Sequence, residues 1–531
     1  MNRVFAIVLT LCLCIPLLCP LAVGATAPDM EVPPVYTMTE VAANPAPPAA
    51  GATVTISTTE ELLAFATYVN NGRPTAGIVF RQEATVTLNT GKFNVDGRWF
   101  ELDGTTLKKG EPTPFTPIGH TEGAPIAFLG TFDGNGYHIN GLYINMKAES
   151  IGFFALLGPG AVLKDISFRN GFVGGTGTAG MLAGQSVGTA ESPVLIDYCK
   201  NRSNLSVKEG AAGGIVGSTA HTLIANCSNE GWVTGASRAA GIVALAGAGT
   251  EIYTSANLQV ARCTGITGGI AAELSPQTVL KNCLNVAHLA GNEQKGAIVG
   301  QMADGATVAG CYYKEGTASP GIGGTEADVP AVTTSLSDAR LKSTAQIIEM
   351  NTFHLTDARI RAICHPWQRG TDHPVIGAAP TAVTVTEDDV TFGAGSLSAA
   401  ATVCGTDAVV KLIGHTSDPG GEISGTYTLD LNGYTLTLAA PLVLKGGTVT
   451  VTDTAETDLP AGKLLAHSSE ALRLSGGSLR LVKGNIVSTS TYAIRCEGIG
   501  TLWLPTRPQV IGAGEGDLYL RYANVLEGAG P

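Results

Sequence analysis

Five cysteines recur at wide intervals in the middle of the chain, and cysteine is a residue type that binds metals or forms disulfides. They are separated by 28, 36, 20 and 28 residues and are Cys199, Cys227, Cys263, Cys283 and Cys311. Zinc sites use much shorter gaps of about two to four residues. Side chains stacked in register lie alongside one another, which is a poor geometry for a disulfide. The spacing therefore predicts a structural repeat, with no metal and no cofactor.

A second set of residues follows three of these cysteines at a fixed distance. Asn204, Trp232 and His288 each lie five positions after a cysteine and directly before an apolar residue. Because neighbouring side chains of a strand point to opposite faces, these three are predicted to face outward in one column. An exposed tryptophan among polar groups can stack on a sugar ring or a peptide, so this column is the candidate ligand-binding site. The alternative is that Trp232 only covers a strand missing from the next coil.

No catalytic residues are predicted. Glycoside hydrolysis requires two carboxylates about 5–10 Å apart, and elimination requires a calcium cluster with a basic residue. The sequence lacks the Asn-Thr-Asp, paired-Asp and Gly-His-Gly motifs of polygalacturonases. Asp133 lies in an Asp-Gly turn, and His120 and His138 are isolated residues of a Gly-rich region. These three side chains are therefore predicted to be turn and surface groups.

The elements that must position these residues are short strands. A Gly-Ile-Val-Gly phrase, followed by an apolar run ending in cysteine, recurs between Gly180 and Gly316 with about 28 residues per copy. We interpret the wide cysteine spacing as an insertion at 247–256 and the narrow one as a missing strand. Fixed-period repeats of short apolar runs with many glycines favour strands. Three strands per coil, stacked at ~4.8 Å, form a parallel β-helix, which the crossover rule makes right-handed.

Stacked coils place equivalent residues above one another. The five cysteines are predicted to form an interior ladder, since a thiol is small and commonly buried. Asn201, Asn229 and Asn285 each follow a cysteine by two residues and are predicted to lie at a bend. Asparagine tolerates the left-handed backbone of such a bend, and stacked amides can hydrogen-bond from coil to coil.

The two ends of this region differ from the repeat. Residues 1–25 have the basic start, apolar run and small-residue end of a secretory signal peptide. Residues 26–52 are rich in proline and alanine and predict a flexible leader. A capping box at 57–60 begins a short amphipathic helix that is predicted to cover the open end of the solenoid. A helical segment at 337–363 is predicted to cover the far end.

Composition is typical of an exported protein. The chain has 68 glycines, and charged residues make up 14% of it, against an average of ~25%. A net charge of −12 without a Lys/Arg cluster argues against nucleic acid or an anionic membrane as a partner. No second long apolar segment follows the signal peptide. The mature protein is therefore predicted to be soluble, monomeric, and secreted or held at the cell surface.

One phrase resembles a known family. Gly-Thr-Phe-Asp-Gly-Asn-Gly at 130–136, followed by Gly-Leu-Tyr-Ile at 141–144, resembles bacterial surface proteins that carry GLUG motifs. The resemblance covers about 53–376 and includes the cysteine-bearing coils and a closing Trp367 before His-Pro-Val-Ile at 373–376. It implies a secreted β-helical protein of Gram-positive gut or oral bacteria with an adhesin-like or glycan-associated role. The family supplies no catalytic residues to carry over.

A second repetitive region begins after residue 381. Its repeats alternate apolar and polar residues around Asn-Gly or Gly-Gly turns at 427–438, 442–451 and 472–481. They resemble the pectate-lyase-like β-helix modules of large bacterial surface proteins. Because the sequence ends at Pro531 with no cap or anchor, we expect a truncated record or a protein released or held by non-covalent contacts. The predicted organisation is a signal peptide (1–25), a leader (26–52), a GLUG-type β-helix (53–378) and a second β-helix module (379–531).

The sequence thus predicts an all-β, exported, adhesin-like scaffold that is non-catalytic and binds a host or environmental glycan or protein. One alternative is a polysaccharide lyase or glycoside hydrolase, since the β-helix hosts such enzymes and fold alone does not decide function. A second alternative is a purely structural stalk of a larger surface protein.

Overall fold

The 531-residue chain is a parallel β-helix in the computed structural model, which confirms the predicted fold class. The predicted signal peptide (1–25) lies outside the described residues, and so do residues 378–380 at the predicted boundary between the two modules. The described residues are 33–291, 294–325, 328, 332–352, 364–368, 370–377, 383–387, 390–394, 397, 400–401, 404, 407–412, 416–455, 461–504, 510–512, 518–520 and 523–527.

The first solenoid consists of three parallel sheets that each coil visits in turn. Sheet 1 contains Val35–Thr37, Thr53–Ile56, Val79–Gln82, Thr131–Asp133, Val162–Lys164, Val194–Asp197, Thr222–Ala225, Glu251–Tyr253, Val279–Lys281 and Thr307–Ala309. Sheet 2 contains Phe154–Leu157, Ala183–Val187, Val216–Ala220, Val243–Ala246, Ala271–Leu274 and Val299–Met302.

Sheet 3 forms the remaining side of the first solenoid and carries the candidate site. Its strands are Val86–Thr87, His138–Asn140, Tyr143–Ile151, Ser167–Gly180, Lys200–Glu209, Ala211–Gly213, Ser228–Asn229, Val233–Thr234, Arg238–Ala240, Ala256–Asn257, Ala261–Arg262, Ile266–Gly268, Leu284–Asn285, Leu289–Ala290, Gln294–Gly296, Cys311–Lys314 and Thr333–Leu336. An antiparallel hairpin of Lys92–Phe93 and Trp99–Phe100 is inserted before these coils.

Coil length is constant through the middle of the solenoid. Four buried asparagines, each 28 residues after the one before, are paired in register, and they are Asn201, Asn229, Asn257 and Asn285. The predicted long and short coils are therefore wrong. Ser255, not a cysteine, fills the interior rung between Cys227 and Cys283, and its Oγ accepts a hydrogen bond from the Cys227 N–H (3.3 Å). Residues 247–256 are an ordinary part of one coil, because Glu251–Tyr253 is a strand of sheet 1.

One corner of each coil has a left-handed backbone. The residue directly before each interior rung has a positive φ, with values of 53° at Tyr198, 59° at Asn226, 44° at Thr254 and 54° at Asn282. This corner turns the chain from sheet 1 into sheet 3. Asparagine adopts such a backbone readily, whereas the β-branched Thr254 does so only at a cost, so the corner is imposed by the stacking of the coils.

Helix α1 (Met38–Ala43) begins directly after the edge strand Val35–Thr37. A capping box between Thr37 and Glu40 starts the helix, and Met38 and Val41 are buried. The prediction of a flexible leader is therefore wrong from residue 33 onward. The reason is that two apolar side chains on one face are enough to bind this segment to the solenoid, despite its high proline content.

Helix α2 (Thr59–Asn70) covers the N-terminal end of the solenoid. Its N-cap is Thr58, whose Oγ accepts a hydrogen bond from the Glu61 N–H (3.1 Å), so the predicted capping residues are shifted by one position. Phe65 is fully buried, and its ring centroid lies 4.6 Å from that of Phe80 and 5.4 Å from that of Phe132. The helix therefore inserts an aromatic side chain into the open end of the interior core, as its predicted capping role requires.

The predicted closing helices, α3 (Asp338–Leu341) and α4 (Thr344–Thr352), lie on the flank of the solenoid. Leu341 and Ile347 cluster with Leu284 and Tyr312, which belong to a core separate from the solenoid interior. The Tyr312 hydroxyl donates to Glu349 Oε1 (3.2 Å). The expectation that this segment covers the far end is therefore corrected, because an outward apolar row of the coils offers it a surface. Residues 353–363 lie outside the described residues.

The second module has two sheets, and its apolar core is continuous with the cluster that Leu284, Tyr312, Leu341 and Ile347 form on the flank of the first solenoid. The larger sheet contains Val383–Glu387, Val390–Ala394, Ala408–Leu412, Gly421–Asp430, Leu442–Thr452, Leu472–Leu474, Gly477–Leu481, Ile494–Cys496, Gly500–Leu504, Leu518–Leu520 and Ala523–Glu527. The smaller sheet contains Thr416–Asp418, Thr435–Leu438, Lys463–Ala466, Asn485–Ser488 and Val510–Ile511. The first strand pairs of the larger sheet are antiparallel, and the later ones are parallel.

Helices are short in the part of the chain that the structure describes. Over the described ranges, the longest is α2, with 12 residues, and none combines the length and apolar character that crossing a bilayer requires.

Candidate ligand-binding site

The predicted outward column exists on sheet 3. Leu205, Val233, Ala261 and Leu289 are paired in register and buried in the interior. Because side chains alternate along a strand, the residues before them stand on the outer surface. Those residues are Asn204, Trp232, Val260 and His288. Trp232 and Val260 are half-exposed, and His288 is exposed.

Arg262 and Thr234 complete this surface beside the tryptophan. The guanidinium carbon of Arg262 lies 5.9 Å from the centroid of the Trp232 ring, within cation–π range. Arg262 Nε donates to Thr234 Oγ (3.1 Å), which holds the guanidinium against the sheet. We call the surface formed by Trp232, Thr234, Val260, Arg262 and His288 the Trp232 patch.

The polar groups of the patch are available to a ligand. Within the part of the chain that the structure describes, no hydrogen bond engages the Trp232 indole N–H, the His288 ring or the two terminal nitrogens of Arg262. The patch therefore combines one apolar ring face with several unused donors. Arg262, Thr234 and Val260 are not predicted from the sequence, because the cysteine pattern assigns Cys263 to the ladder and so shifts the register of its coil. Moving one full coil along the chain from Trp232 and Thr234 leads to Val260 and Arg262.

Asn204 has a structural role instead of the predicted ligand-binding one. Its Nδ2 donates to the Phe93 carbonyl (3.0 Å), and its Oδ1 accepts from the Trp232 backbone N–H (3.1 Å). Both ends of the amide are thus occupied. Asn204 fastens the inserted hairpin of Lys92–Phe93 and Trp99–Phe100 to the coil that carries Trp232.

The hairpin forms a wall at one end of the patch. The Phe93 ring stacks on Trp99, with centroids 6.2 Å apart, and on Tyr143, with centroids 5.0 Å apart. Tyr143 in turn stacks on Phe172 (6.2 Å), which is paired with Asn204 on the next coil. The outward column is therefore covered by aromatic side chains in its first coils and opens to solvent at Trp232.

The interior ladder contains four of the five predicted cysteines. Cys199, Cys227, Cys283 and Cys311 are buried thiols, and Ser255 occupies the rung between them. Burial raises the pKa of the Cys199 and Cys283 thiols well above the ordinary value, so they are neutral and poor nucleophiles. Across the described ranges, no group of three or more His, Cys, Asp or Glu side chains is placed to hold a metal ion.

Cys263 does not belong to the ladder. It lies at a bend within sheet 3, where its Sγ is 3.1 Å from the Ile266 carbonyl and 3.2 Å from Thr267 Oγ. Its separation from Cys227 is not a whole number of coils, so it cannot stack on that cysteine. Residue type alone had suggested the wrong register.

The asparagine ladder is continuous across four coils. Asn201 Nδ2 donates to Asn229 Oδ1 (2.8 Å), Asn229 Nδ2 to Asn257 Oδ1 (2.9 Å) and Asn257 Nδ2 to Asn285 Oδ1 (3.0 Å). Asn257 is not predicted from the sequence, because it follows Ser255 and not a cysteine by two residues. Each amide satisfies its neighbour in the interior, so the ladder fixes the bend without exposing polar groups to water.

Asp133 and His138 occupy positions that suit structure better than catalysis. Asp133 accepts from the Asn135 N–H (3.0 Å) in its turn and forms an ion pair with Lys164 (3.1 Å). Burial lowers the pKa of His138, which favours a neutral ring. His120 lies elsewhere, in the wall of a surface cleft.

The closing segment makes a buried polar contact on the corner of the solenoid. The His365 N–H donates to Asn226 Oδ1 (2.7 Å), and Asn226 Nδ2 donates to Asp197 Oδ1 (2.6 Å). The His365 ring packs on Tyr198, with centroids 4.6 Å apart. Burial lowers the pKa of His365, and the nearby Asp197 carboxylate opposes this shift.

Comparisons with known proteins place few constraints on the chain. No family model matches it. A stretch of 106 residues, 20% of this chain, is 29% identical to Halomucin from Haloquadratum walsbyi, and the match spans 1% of that protein's length. The crystal structure of a "putative immunoglobulin A1 protease" from Bacteroides ovatus aligns with 61% of this chain and 91% of its own, at 17% identity and a TM-score of 0.42.

Proposed function

We propose that this protein is an exported β-helical scaffold, secreted or held at the cell surface, that binds a saccharide at the Trp232 patch without transforming it. The observation that carries the proposal is the half-exposed Trp232 ring with an unused indole N–H beside Arg262. A sugar ring presents an apolar C–H face to such a ring and hydroxyl groups to donors around it. The signal-like segment at 1–25 supports export, and the partial similarity to Halomucin is compatible with it.

The dimensions of the patch suit a short saccharide. Trp232 and His288 are two coils apart, so about 10 Å separates them at the ~4.8 Å spacing of strands. The hairpin wall closes the patch on the N-terminal side, where Asn204 holds it. A ligand would therefore extend from Trp232 toward His288, with Arg262 between them as a donor of several hydrogen bonds.

A glycan array probed with the full chain and with Trp232→Ala tests the proposal. We expect bound glycans on the array and a loss of about two- to tenfold in affinity in the variant, because stacking on the indole contributes about 0.5–1.5 kcal/mol. Trp503→Ala is the matched control, since Trp503 is a half-exposed, outward tryptophan of the second module. Equal binding by Trp232→Ala and the unmodified chain, or no bound glycan at all, contradicts the proposal. The latter result favours a structural stalk.

A further inference from the structure

One strand of the first solenoid has an open edge. Tyr143–Ile151 pairs in parallel with Ser167–Gly180 on one side. On the other side, among the described residues, no backbone hydrogen bond reaches residues 145–150. Strand edges are normally paired or covered, so this one calls for an explanation.

The edge is open because the preceding coil takes a short cut. The Phe115 N–H donates to the Tyr143 carbonyl (2.8 Å), and Ile118 is bridged to Phe154. Residues 116–117 therefore span the distance that residues 144–153 span in the next coil. The three residue steps from Phe115 to Ile118 cover at most ~11 Å, so residues 144–153 arch outward, and about six residues of this arch are left without a neighbour.

Lys147 presents its backbone to this gap. A Cβ atom added to Gly175 would overlap the Met146 carbonyl oxygen, and one added to Gly177 would overlap the Ala148 carbonyl oxygen. Those two carbonyls thus point toward the paired strand. Since successive residues of a strand point their backbone groups to opposite sides, the N–H and C=O of Lys147 face the open side.

The gap is a cleft of about 380 Å³, within the size range of ligand pockets. Its floor is the edge itself, and its opposite wall is the loop at 120–125. Lys147 and Glu149 are exposed, two residues apart, and no hydrogen bond or ion pair engages their side chains or the His120 ring within the described part of the chain. The cleft thus offers free backbone donors and acceptors together with unpaired charges of both signs.

We propose that this cleft binds an extended peptide segment of another protein as an added strand. Main-chain hydrogen bonds supply affinity in this mode, and side chains at alternate positions supply specificity. Cross-strand pairs of opposite charge are favourable, so the peptide that fits carries an acidic residue opposite Lys147 and a basic residue opposite Glu149. Five or six residues fill the gap. The site is separate from the Trp232 patch and does not depend on it.

Panning a displayed random heptapeptide library against the full chain tests this proposal. We expect enrichment of sequences with an acidic and a basic residue one or two positions apart, because a β-bulge lies between Lys147 and Ser150. Binding of the enriched synthetic peptides, measured by fluorescence anisotropy, should weaken at least tenfold in Lys147→Pro, which removes the outward N–H without removing a bond to the paired strand. Lys147→Ala, which keeps the N–H, should lose less than about fivefold. Trp232→Ala should bind the peptides as the unmodified chain does.

Modified peptides test the same point on the unaltered protein. Two versions of each peptide are compared, N-methylated at every second amide and offset from each other by one residue. One version should not bind and the other should bind normally, because only every second amide of the peptide bonds to the edge. Failure to enrich any peptide, equal binding of Lys147→Pro, or insensitivity to N-methylation overturns the proposal. In that case the charges at Lys147 and Glu149 serve only to keep strands of other chains away.

Discussion

The two solenoids of this protein hold their bends in different ways. In the first, Asn201, Asn229, Asn257 and Asn285 link successive coils by side-chain hydrogen bonds. In the second, successive coils are linked by close backbone contacts at a column of glycines with positive φ. These glycines are Gly425 (115°), Gly447 (78°) and Gly477 (71°). The coils joined by the amide ladder are equal in length, whereas the coils joined by the glycine column are not.

Coil lengths agree with this difference. In the first solenoid, each asparagine of the ladder lies 28 residues after the previous one. In the second, Val449 is paired with Tyr427 on the coil before and with Leu479 on the coil after, and the second of these intervals is clearly longer than the first. In the ladder each amide lies directly above the previous one, and the equal coil lengths repeat the same path between them. A glycine has no side chain that must hydrogen-bond to a partner on the coil above it.

Breaking the amide ladder should have the largest effect. Asn229 is fully buried and bonds to Asn201, Asn257 and Gly231. Asn229→Ala leaves several of these groups unsatisfied in the interior, at about 1–3 kcal/mol each. We expect the free energy of unfolding of the first solenoid to fall by about 3–5 kcal/mol, measured by urea denaturation followed by circular dichroism.

The exposed Asn145, on the outer face of sheet 3, provides the matched control. Asn145→Ala should change the free energy of unfolding by less than about 0.5 kcal/mol, as surface substitutions generally do. Similar effects of the two substitutions would show that the ladder does not stabilise the bend.

Substitution in the glycine column should have a smaller but clear effect. A Cβ on Gly447 would overlap the carbonyl oxygen of Gly425, and its φ of 78° is unfavourable for alanine. We expect Gly447→Ala to reduce the stability of the second module by about 2–3 kcal/mol. The adjacent Gly446 has open space around its Cβ position, so Gly446→Ala should be nearly neutral. Equal stability of the two variants in urea would contradict the steric account.

Acidification should have the smallest effect, which acts in the same sense at the corner covered by the closing segment and at the partly buried His138. Burial lowers the pKa of His365, so the folded state binds a proton less readily than the unfolded chain, whose histidines titrate near pH 6.5. The stability of this contact is therefore full above pH 6.5 and falls as the pH drops through that value. Asp197 and Lys200 are the charged groups that act on His365, and Asp197 weakens the effect.

Thermal unfolding at pH 7.5 and 5.5 measures this dependence. His365→Gln removes the titrating ring, so the difference between the two pH values should shrink in that variant. The pKa of Asp197 is raised by burial, which acts in the opposite sense, with stability lost as the pH rises above about 4. An unchanged pH dependence in His365→Gln would assign the effect to another group.

Much of the architecture was predictable because its signals are local. Short apolar runs and turn residues identify stacked strands, and alternation placed Trp232 and His288 on the outer face. Asn201, Asn229 and Asn285 were recognised as bend residues from their distance to cysteine. The flank position of α3 and α4 was not predictable, because it depends on an apolar row formed only when Leu284 and Tyr312 stack.

By itself, the sequence determined the kind of fold, the usual length of a coil and the side of the strand on which the candidate ligand-binding residues lie. These follow from the period-two alternation and turn preferences of neighbouring residues. Only the tertiary structure decided that Ser255 and not Cys263 fills a rung, that Phe93 occupies the amide of Asn204, and that the edge at Lys147 is open. Register and coverage depend on contacts between residues far apart in the chain, and no local pattern encodes which of several similar residues will meet.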